Sequence, residues 1–201
     1  MKIRAIIFDY DGVIHNTFNF HREKVKEFTG VLLSESEYRD MHNGNFFDNK
    51  NNRLQNVDWP SYRDFIYDLQ SKLKIENEIK NTLLELSKTH ELFIVTSGGN
   101  KNISDYLKNN GIAKIFKEVL GLESHRSKVD KFNYIFKKHS LAPDDCIFVT
   151  DTLGDILEAN ELGIKTIAVD FGYHPRETLE KGRPFKIISQ FSAILDTINL
   201  L

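Results

Sequence analysis

The chain has 201 residues, of which 40% are hydrophobic and 28% charged, a mixture that is typical of a globular protein and excludes wholesale disorder. Lysine and arginine together number 27 against 29 for aspartate and glutamate, so the basic excess of a nucleic-acid-binding protein is missing. The single cysteine, Cys146, excludes an intramolecular disulfide, and we expect it in the core. The apolar run near the N-terminus is too short for a signal peptide or a membrane span. We therefore expect a cytoplasmic protein with no membrane or nucleic-acid partner.

Short apolar runs that end at polar residues or glycine predict buried strands of a parallel sheet. The clearest runs cover residues 3–8, 92–95, 146–149 and 166–169, and weaker ones cover 119–120 and 186–188. Helical patterns of apolar residues lie between the runs. This alternation predicts an α/β fold with a doubly wound, Rossmann-like parallel sheet and right-handed crossovers.

Residues 15–79 interrupt the alternation, because they contain helical patterns but no run that is typical of a buried strand. Ser34 and Glu37 have the spacing of a capping box and predict the start of one helix. A later helix is predicted to present an apolar face made of Tyr62, Ile66, Leu69 and Leu73. We therefore expect a core formed by residues 1–14 and 80–201, with a small helical cap inserted after the first strand.

Polar residues follow three of the predicted strands at their carboxyl ends, which is where open α/β sheets bind ligands. Asp9 and Asp11 follow the first strand, Thr96 follows the second, and Asp151 and Asp155 follow a later one. These side chains converge only if the three strands are neighbours in the sheet. Four carboxylates in one crevice repel each other unless a cation lies among them, and oxygen ligands together with a phosphate favour Mg²⁺.

The same segments resemble the four sequence motifs of the haloacid dehalogenase (HAD) superfamily, in the family's order. Residues 9–13 (Asp-Tyr-Asp-Gly-Val) resemble motif I, residues 93–96 motif II and residues 151–156 motif IV. Lys128, with apolar residues four, seven and thirteen positions downstream, resembles motif III. The helical insert is similar to the C1-type cap of the phosphoglycolate-phosphatase-like branch. Thr150 departs from the pattern, since glycine usually precedes the motif IV aspartate.

The resemblance implies a Mg²⁺-dependent phosphatase that hydrolyses a small phosphorylated metabolite through an aspartyl-phosphate intermediate. Asp9 is the implied nucleophile, and Asp11 is the implied acid for the leaving group and base for the attacking water. The implied catalytic residues are Asp9, Asp11, Thr96 and Lys128; the substrate-binding residues are Tyr10, Ser97 and Gly98; the metal ligands are Asp9, Asp11, Asp151 and Asp155. The cap is expected to close over the site and to contact the leaving group.

Several alternatives stay open at this point. Asp11 argues against dehalogenation, because a halide leaves without a proton, but a sugar phosphomutase of the same superfamily shares the core and the cap. A phosphate-receiver module also combines an acidic pocket with Mg²⁺, yet it lacks a helical insert after the first strand. Asp151 and Asp155 can also simply start a helix, where acids interact favourably with the helix dipole. An ordinary surface position also stays open for Lys128.

The remaining polar candidates lie in the predicted cap. We expect His15, His21 and His42 at the polar surface. Substrate specificity is expected in a cap loop that reaches toward the core and contains His42, Asn43, Gly44, Asn45 and Phe47.

Overall fold

A computed structural model describes residues 3–44, 53–54, 56–125 and 127–200. Asn45 and Phe47 of the expected specificity loop lie outside these residues. The strands are β1 (Ala5–Phe8), β2 (Glu91–Val95), β3 (Phe116–Leu120), β4 (Cys146–Thr150), β5 (Lys165–Val169) and β6 (Lys186–Ile188). The helices are α1 (Phe18–Thr29), α2 (Glu35–Asp40), α3 (Trp59–Ser71), α4 (Asn77–Leu86), α5 (Asn100–Asn109), α6 (Lys128–His139), α7 (Leu153–Glu161), α8 (Arg176–Leu179) and α9 (Ala193–Ile198).

The strands form one parallel sheet in the order β3-β2-β1-β4-β5-β6, which confirms the predicted doubly wound fold. β1 lies in the middle and pairs with β2 on one side and β4 on the other. The condition for convergence is therefore met: the carboxyl ends of these three strands lie side by side. Every predicted strand run, including the two weaker ones, corresponds to an observed strand.

The sheet is covered by helices on both faces, and this explains why its strands are continuously apolar. Ile6 and Phe8 of β1 belong to a core cluster with residues of α4, α5 and α9. Ala5 and Ile7 point to the other face and pack with residues of α6 and α7. Cys146 is buried in this second cluster, as expected. Among the described residues, no helix combines the length and the apolar character that crossing a bilayer requires.

Helices α1, α2 and α3 lie between β1 and β2 in the chain and pack around a separate apolar cluster. The predicted capping box is present at the start of α2, where Ser34 and Glu37 each accept the other's backbone N–H. The predicted face of α3 was partly wrong, because Leu69 is 44% exposed. Gln70 occupies the buried position instead, since its side chain accepts a 3.1 Å hydrogen bond from Asn102 of α5.

The turn after α2 contacts the start of α7. The backbone N–H of Gly154 donates to the carbonyl of His42 at 3.2 Å. A Cβ atom on Gly154 would lie 2.6 Å from the carbonyl oxygen of Gly44, which is closer than carbon and oxygen atoms approach each other. Glycine at position 154 therefore allows the helical segment to sit directly on the core.

We expect the substitution Gly154→Ala to destabilise the protein by about 1–3 kcal/mol, because the added methyl group forces this contact apart. At an exposed helical position the same substitution would instead stabilise the protein, because alanine is the better helix former by about 1 kcal/mol. The free energy of unfolding in urea measures the effect. Gly44→Ala is the matched control, since a Cβ there meets nothing within 4 Å. A Gly154→Ala protein as stable as the wild type would contradict the steric argument.

Candidate active site

Lys128 joins two of the carboxylates at the carboxyl edge of the sheet. Its Nζ atom lies 2.8 Å from Oδ2 of Asp9 and 2.5 Å from Oδ2 of Asp155. It begins α6 and is only 3% exposed, so the alternative of an ordinary surface lysine is wrong. Burial lowers the pKa of Lys128, but the Asp155 and Asp9 carboxylates outweigh it and raise the pKa above its ordinary value. The lysine is therefore a permanent cation beside Asp9.

Asp9 directly follows β1 and is almost fully buried. Burial raises its pKa well above the ordinary value; Asp155 and Asp151 add to the rise, and Lys128 opposes it. Its Oδ1 atom accepts the backbone N–H of Tyr10 at 2.7 Å. The Tyr10 ring itself points into the core, where it packs edge-on against Tyr106, so this residue offers the site its backbone and not its side chain.

Asp151 follows β4 and lies between two glycines. A Cβ atom on Gly12 would come within 1.8 Å of Asp151 Oδ2, and one on Gly172 within 2.3 Å. Gly12 also has a φ of +78°, which favours glycine. Asp151 Oδ2 accepts the backbone N–H of Tyr173 at 2.6 Å, whereas Oδ1 is buried and has no hydrogen-bond partner. Burial raises the pKa of Asp151 to about 8.

Asp155 lies in the first turn of α7, where its backbone N–H donates to the capping hydroxyl of Thr152. Its Oδ2 atom accepts the Thr150 hydroxyl at 2.6 Å as well as the Lys128 ammonium. Burial alone would raise the pKa of Asp155, but Lys128 and these hydrogen bonds outweigh burial and lower it. The hydroxyl of Thr150, the residue that departs from the family pattern, thus helps to orient Asp155.

The donor atoms at this edge fit a hard divalent cation. Among the described residues, no three side chains of His, Cys, Asp or Glu are already grouped as a metal site. Mg²⁺ does not require such a group, because it usually retains several waters and binds through one or two carboxylates. The buried, unpartnered Oδ1 of Asp151 is the observation that favours a cation here, since leaving such an atom unpaired costs free energy. Asp9 and the backbone carbonyl of Asp11 belong to the same strand end.

Asp11 is held by residues of the helical segment. The Thr17 hydroxyl donates to its Oδ1 atom at 2.7 Å, and Nε2 of His21 lies 3.1 Å from the same oxygen. The other ring nitrogen of His21 is 2.9 Å from the Tyr62 hydroxyl of α3. Burial raises the pKa of Asp11, but His21 and the hydrogen bonds from His21 and Thr17 outweigh it, so that the pKa is lowered.

The expected surface position of the histidines was wrong for His21, which is buried, whereas His42 is half-buried. His21 lies inside because its ring joins Asp11 to Tyr62. The helical spacing carries a signal for this: Phe18, His21 and Val25 occupy one face of α1, and all three are buried. His15 is half-buried, with Nδ1 3.1 Å from the Tyr106 hydroxyl.

Thr96 follows β2 and is fully buried, and its hydroxyl accepts the backbone N–H of Gly98 at 3.0 Å. The backbone carbonyl of Thr96 accepts a 2.7 Å hydrogen bond from Nζ of Lys131, which is also fully buried. Burial and the nearby charge of Lys128 lower the pKa of Lys131 to about 8. Lys131 and Thr17 belong to none of the four motifs, so no role was predicted for either residue.

A cavity of about 140 Å³ lies between the sheet edge and the helical segment. The core contributes Asp9, Asp11, Thr96, Ser97 and Gly98 to its lining. The helical segment contributes His21, Tyr38, His42, Trp59, Tyr62 and Arg63. The structure thus brings Asp9, Asp11, Thr96, Ser97 and Gly98 to one cavity, with Lys128, Asp151 and Asp155 packed around Asp9.

This chain belongs to the haloacid dehalogenase-like hydrolase family, whose model matches residues 6–169. The phosphoglycolate phosphatase of Vibrio vulnificus is 30% identical over 124 residues, which is 60% of this chain and 54% of that relative. The chain thus spans about half the length of the curated relatives that it matches. The resemblance expected from the four motifs is confirmed.

Solved structures share the fold over nearly the whole chain. A haloacid dehalogenase-like hydrolase from Streptococcus pneumoniae has a TM-score of 0.79 at 24% identity, with 97% of this chain and 98% of that chain covered. CbbY from Rhodobacter sphaeroides, solved in complex with phosphate, has a TM-score of 0.77 at 16% identity, with 96% of both chains covered. At these identities the likeness supports the architecture only.

The lowered pKa of the buried Lys131 makes the stability of the protein depend on pH. Its pKa falls from 10.5 to about 8 on folding, so between these pH values the unfolded chain binds the additional proton. The cost of burying the charged amine is fully present below pH 8 and is relieved as the pH rises toward 10.5, by up to roughly 3 kcal/mol.

We therefore expect wild-type stability to rise between about pH 8 and 10 relative to a Lys131→Met variant. Urea unfolding at pH 7, 8, 9 and 10 measures the difference in free energy of unfolding between the two proteins. The titration of all other groups contributes equally to both proteins and cancels. Lys137→Met, on the exposed side of the same helix, is the control and should follow the wild type. Parallel curves for the wild type and Lys131→Met would refute the prediction.

Proposed function

We propose that this chain is a phosphatase that hydrolyses the phosphomonoester of a small metabolite, with Asp9 as nucleophile. The observation that carries the proposal is the convergence of Asp9, Lys128 and the unpartnered oxygen of Asp151 beside the cavity. Phosphoglycolate phosphatases among the relatives support this reaction class. Family membership alone does not distinguish phosphatases from dehalogenases, and Asp11 favours the phosphatase.

In the first step, a carboxylate oxygen of Asp9 attacks phosphorus, and the bond between phosphorus and the leaving oxygen breaks. Asp11 delivers a proton to that oxygen. In the second step, Asp11 takes a proton from water, which attacks the phosphoryl group, releases phosphate and restores Asp9. Asp11 gives up its proton in the first step and regains one in the second, so the same carboxyl group serves as acid and as base, and the 3.1 Å contact with His21 holds it in place.

The phosphoryl oxygens are bound by donors that lie around Asp9. These are the Lys128 ammonium, the Thr96 hydroxyl and the backbone N–H of Ser97, whereas the N–H groups of Tyr10 and Gly98 donate to Asp9 and Thr96 and orient those two side chains. Mg²⁺, when bound, supplies positive charge that allows an anionic nucleophile to approach an anionic ester. Asp9, Asp151 and the backbone carbonyl of Asp11 would hold the cation, and Asp155 would orient its waters.

We further propose that α1, α2 and α3 act as a cap, within the division into residues 15–79 and a core of 1–14 and 80–201. These helices supply the wall of the cavity opposite Asp9 and contribute His21 to the contacts of Asp11. A cap in this position excludes bulk water during turnover and contacts the leaving group.

Replacing the nucleophile should abolish turnover. We expect Asp9→Asn to lower phosphate release from p-nitrophenyl phosphate by more than about 10³-fold, because an amide does not form the covalent intermediate. Asp196→Asn, an exposed residue of α9, is the matched control and should retain full activity. Activity of Asp9→Asn within tenfold of the wild type, in a protein with unchanged circular dichroism, would exclude the mechanism.

Metal removal gives a second test. EDTA should abolish activity, and added Mg²⁺ should restore it. Asp151→Asn should raise the Mg²⁺ concentration required for half-maximal activity, because its unpartnered oxygen is proposed to bind the cation. Full activity in EDTA would contradict metal dependence. Conversion of a sugar phosphate without phosphate release, dependent on an added bisphosphate, would indicate a phosphomutase instead.

A further inference from the structure

Arg63 differs from the other polar residues of the cavity because no described side chain forms an ion pair with it. It lies on α3, is half-buried and lines the cavity. Its Nη1 atom is buried and has no hydrogen-bond partner, and no carboxylate of the described residues lies within ion-pair distance of it. A buried guanidinium nitrogen without a partner is costly, so its position indicates a missing acceptor.

The nearby carboxylates have other partners. Asp58, one turn earlier in the chain, accepts the backbone N–H and the hydroxyl of Ser61. Glu123 lies close to the Arg63 side chain across Gly99, but its Oε2 atom accepts the backbone N–H of Asn100 at 2.8 Å. Neither carboxylate bonds Nη1 of Arg63, which leaves this donor available to a ligand.

The rest of the cavity restricts what that ligand is. Asp9 and Asp11 occupy the core side, whereas Trp59, Tyr62 and Ile66 give the helical side a largely apolar wall. Polar groups on this wall have partners within the protein: His21 contacts Asp11 and Tyr62, and Gln70 accepts a hydrogen bond from Asn102. Among the described lining residues, Arg63 is the one permanently charged cation.

We infer that Arg63 binds a second anionic oxygen group, carried by the leaving group of the substrate, and thereby selects phosphomonoesters that have a negative charge at each end. The inference rests on the proposed phosphatase function and adds the substrate class. A carboxylate and a second phosphate share the chemistry that a planar guanidinium recognises through paired hydrogen bonds. Arg63 is thus a specificity residue that takes no part in the reaction itself.

The test uses three substrates that share a two-carbon leaving group. Ethyl phosphate has no second charge, phosphoglycolate has a carboxylate, and ethane-1,2-diol bisphosphate has a second phosphate. The wild type should favour one or both of the doubly anionic esters over ethyl phosphate, and the better of the two identifies the group that Arg63 binds. Arg63→Met should lower kcat/KM for that ester by about 10–100-fold, mainly through KM, since a charged hydrogen bond is worth about 1.5–3 kcal/mol.

For ethyl phosphate, the same variant should stay within threefold of the wild type. Arg63→Lys should restore part of the loss, because it keeps the charge without the planar fork. Arg53→Met removes an exposed arginine of the same segment and should change none of the three substrates. An equal effect of Arg63→Met on all three, or a wild type that prefers ethyl phosphate, would overturn the inference.

Binding gives a readout that needs no turnover. Trp59 is the sole tryptophan and lines the cavity one turn before Arg63, so its fluorescence reports ligand entry. In an Asp9→Asn background, Arg63→Met should weaken binding of the doubly anionic ester by a similar factor and leave ethyl phosphate unchanged. If the wild type releases phosphate neither from these esters nor from p-nitrophenyl phosphate, the proposed function fails, while this titration still decides the role of Arg63: equal affinities with and without Arg63 would exclude it.

Discussion

The candidate active site depends on the contacts of Lys128 with Asp9 and Asp155. Burying a charged group costs several kcal/mol, and an ion pair repays this only when its geometry is good and its other atoms are satisfied. A well-packed apolar group would stabilise the fold at least as well. The buried charges of Lys128, Asp9 and Asp155 are therefore better explained by the chemistry of the site than by a contribution to the stability of the fold. Lys128 allows Asp9 and Asp155 to be buried together, whereas Oδ1 of Asp151 is left without a partner.

The sheet order determines where these charges lie. Because β1 is flanked by β2 and β4, residues that are far apart in the chain follow three adjacent strands. The strands themselves are apolar and buried on both faces, so charge is confined to their ends. Gly12 and Gly172 then bring the backbone against Asp151, where a side chain at either position would displace the carboxylate. The sheet order thus brings the three strand ends together, and the two glycines leave space for the Asp151 carboxylate.

Patterns local in the sequence predicted the strands, the capping box of α2 and the residues at the strand ends, because each depends on neighbours within a few positions. Lys131 and His21 show where such reasoning stops. Both are polar residues on helices, for which a surface position is the ordinary expectation, and both are buried because of partners that are distant in the chain. Leu69 and Gln70 exchange their expected positions for the same reason: a hydrogen bond to Asn102 decides which side chain is buried.

The helical segment does more than cover the cavity. His21 of α1 contacts Asp11 and is itself held by Tyr62 of α3, so the electrostatic surroundings of this carboxyl group depend on where the helices lie. Arg63 directly follows Tyr62 in the chain, and both residues line the cavity. One helix thus bears both a contact that supports the proposed acid and the group inferred to recognise the leaving end of the substrate.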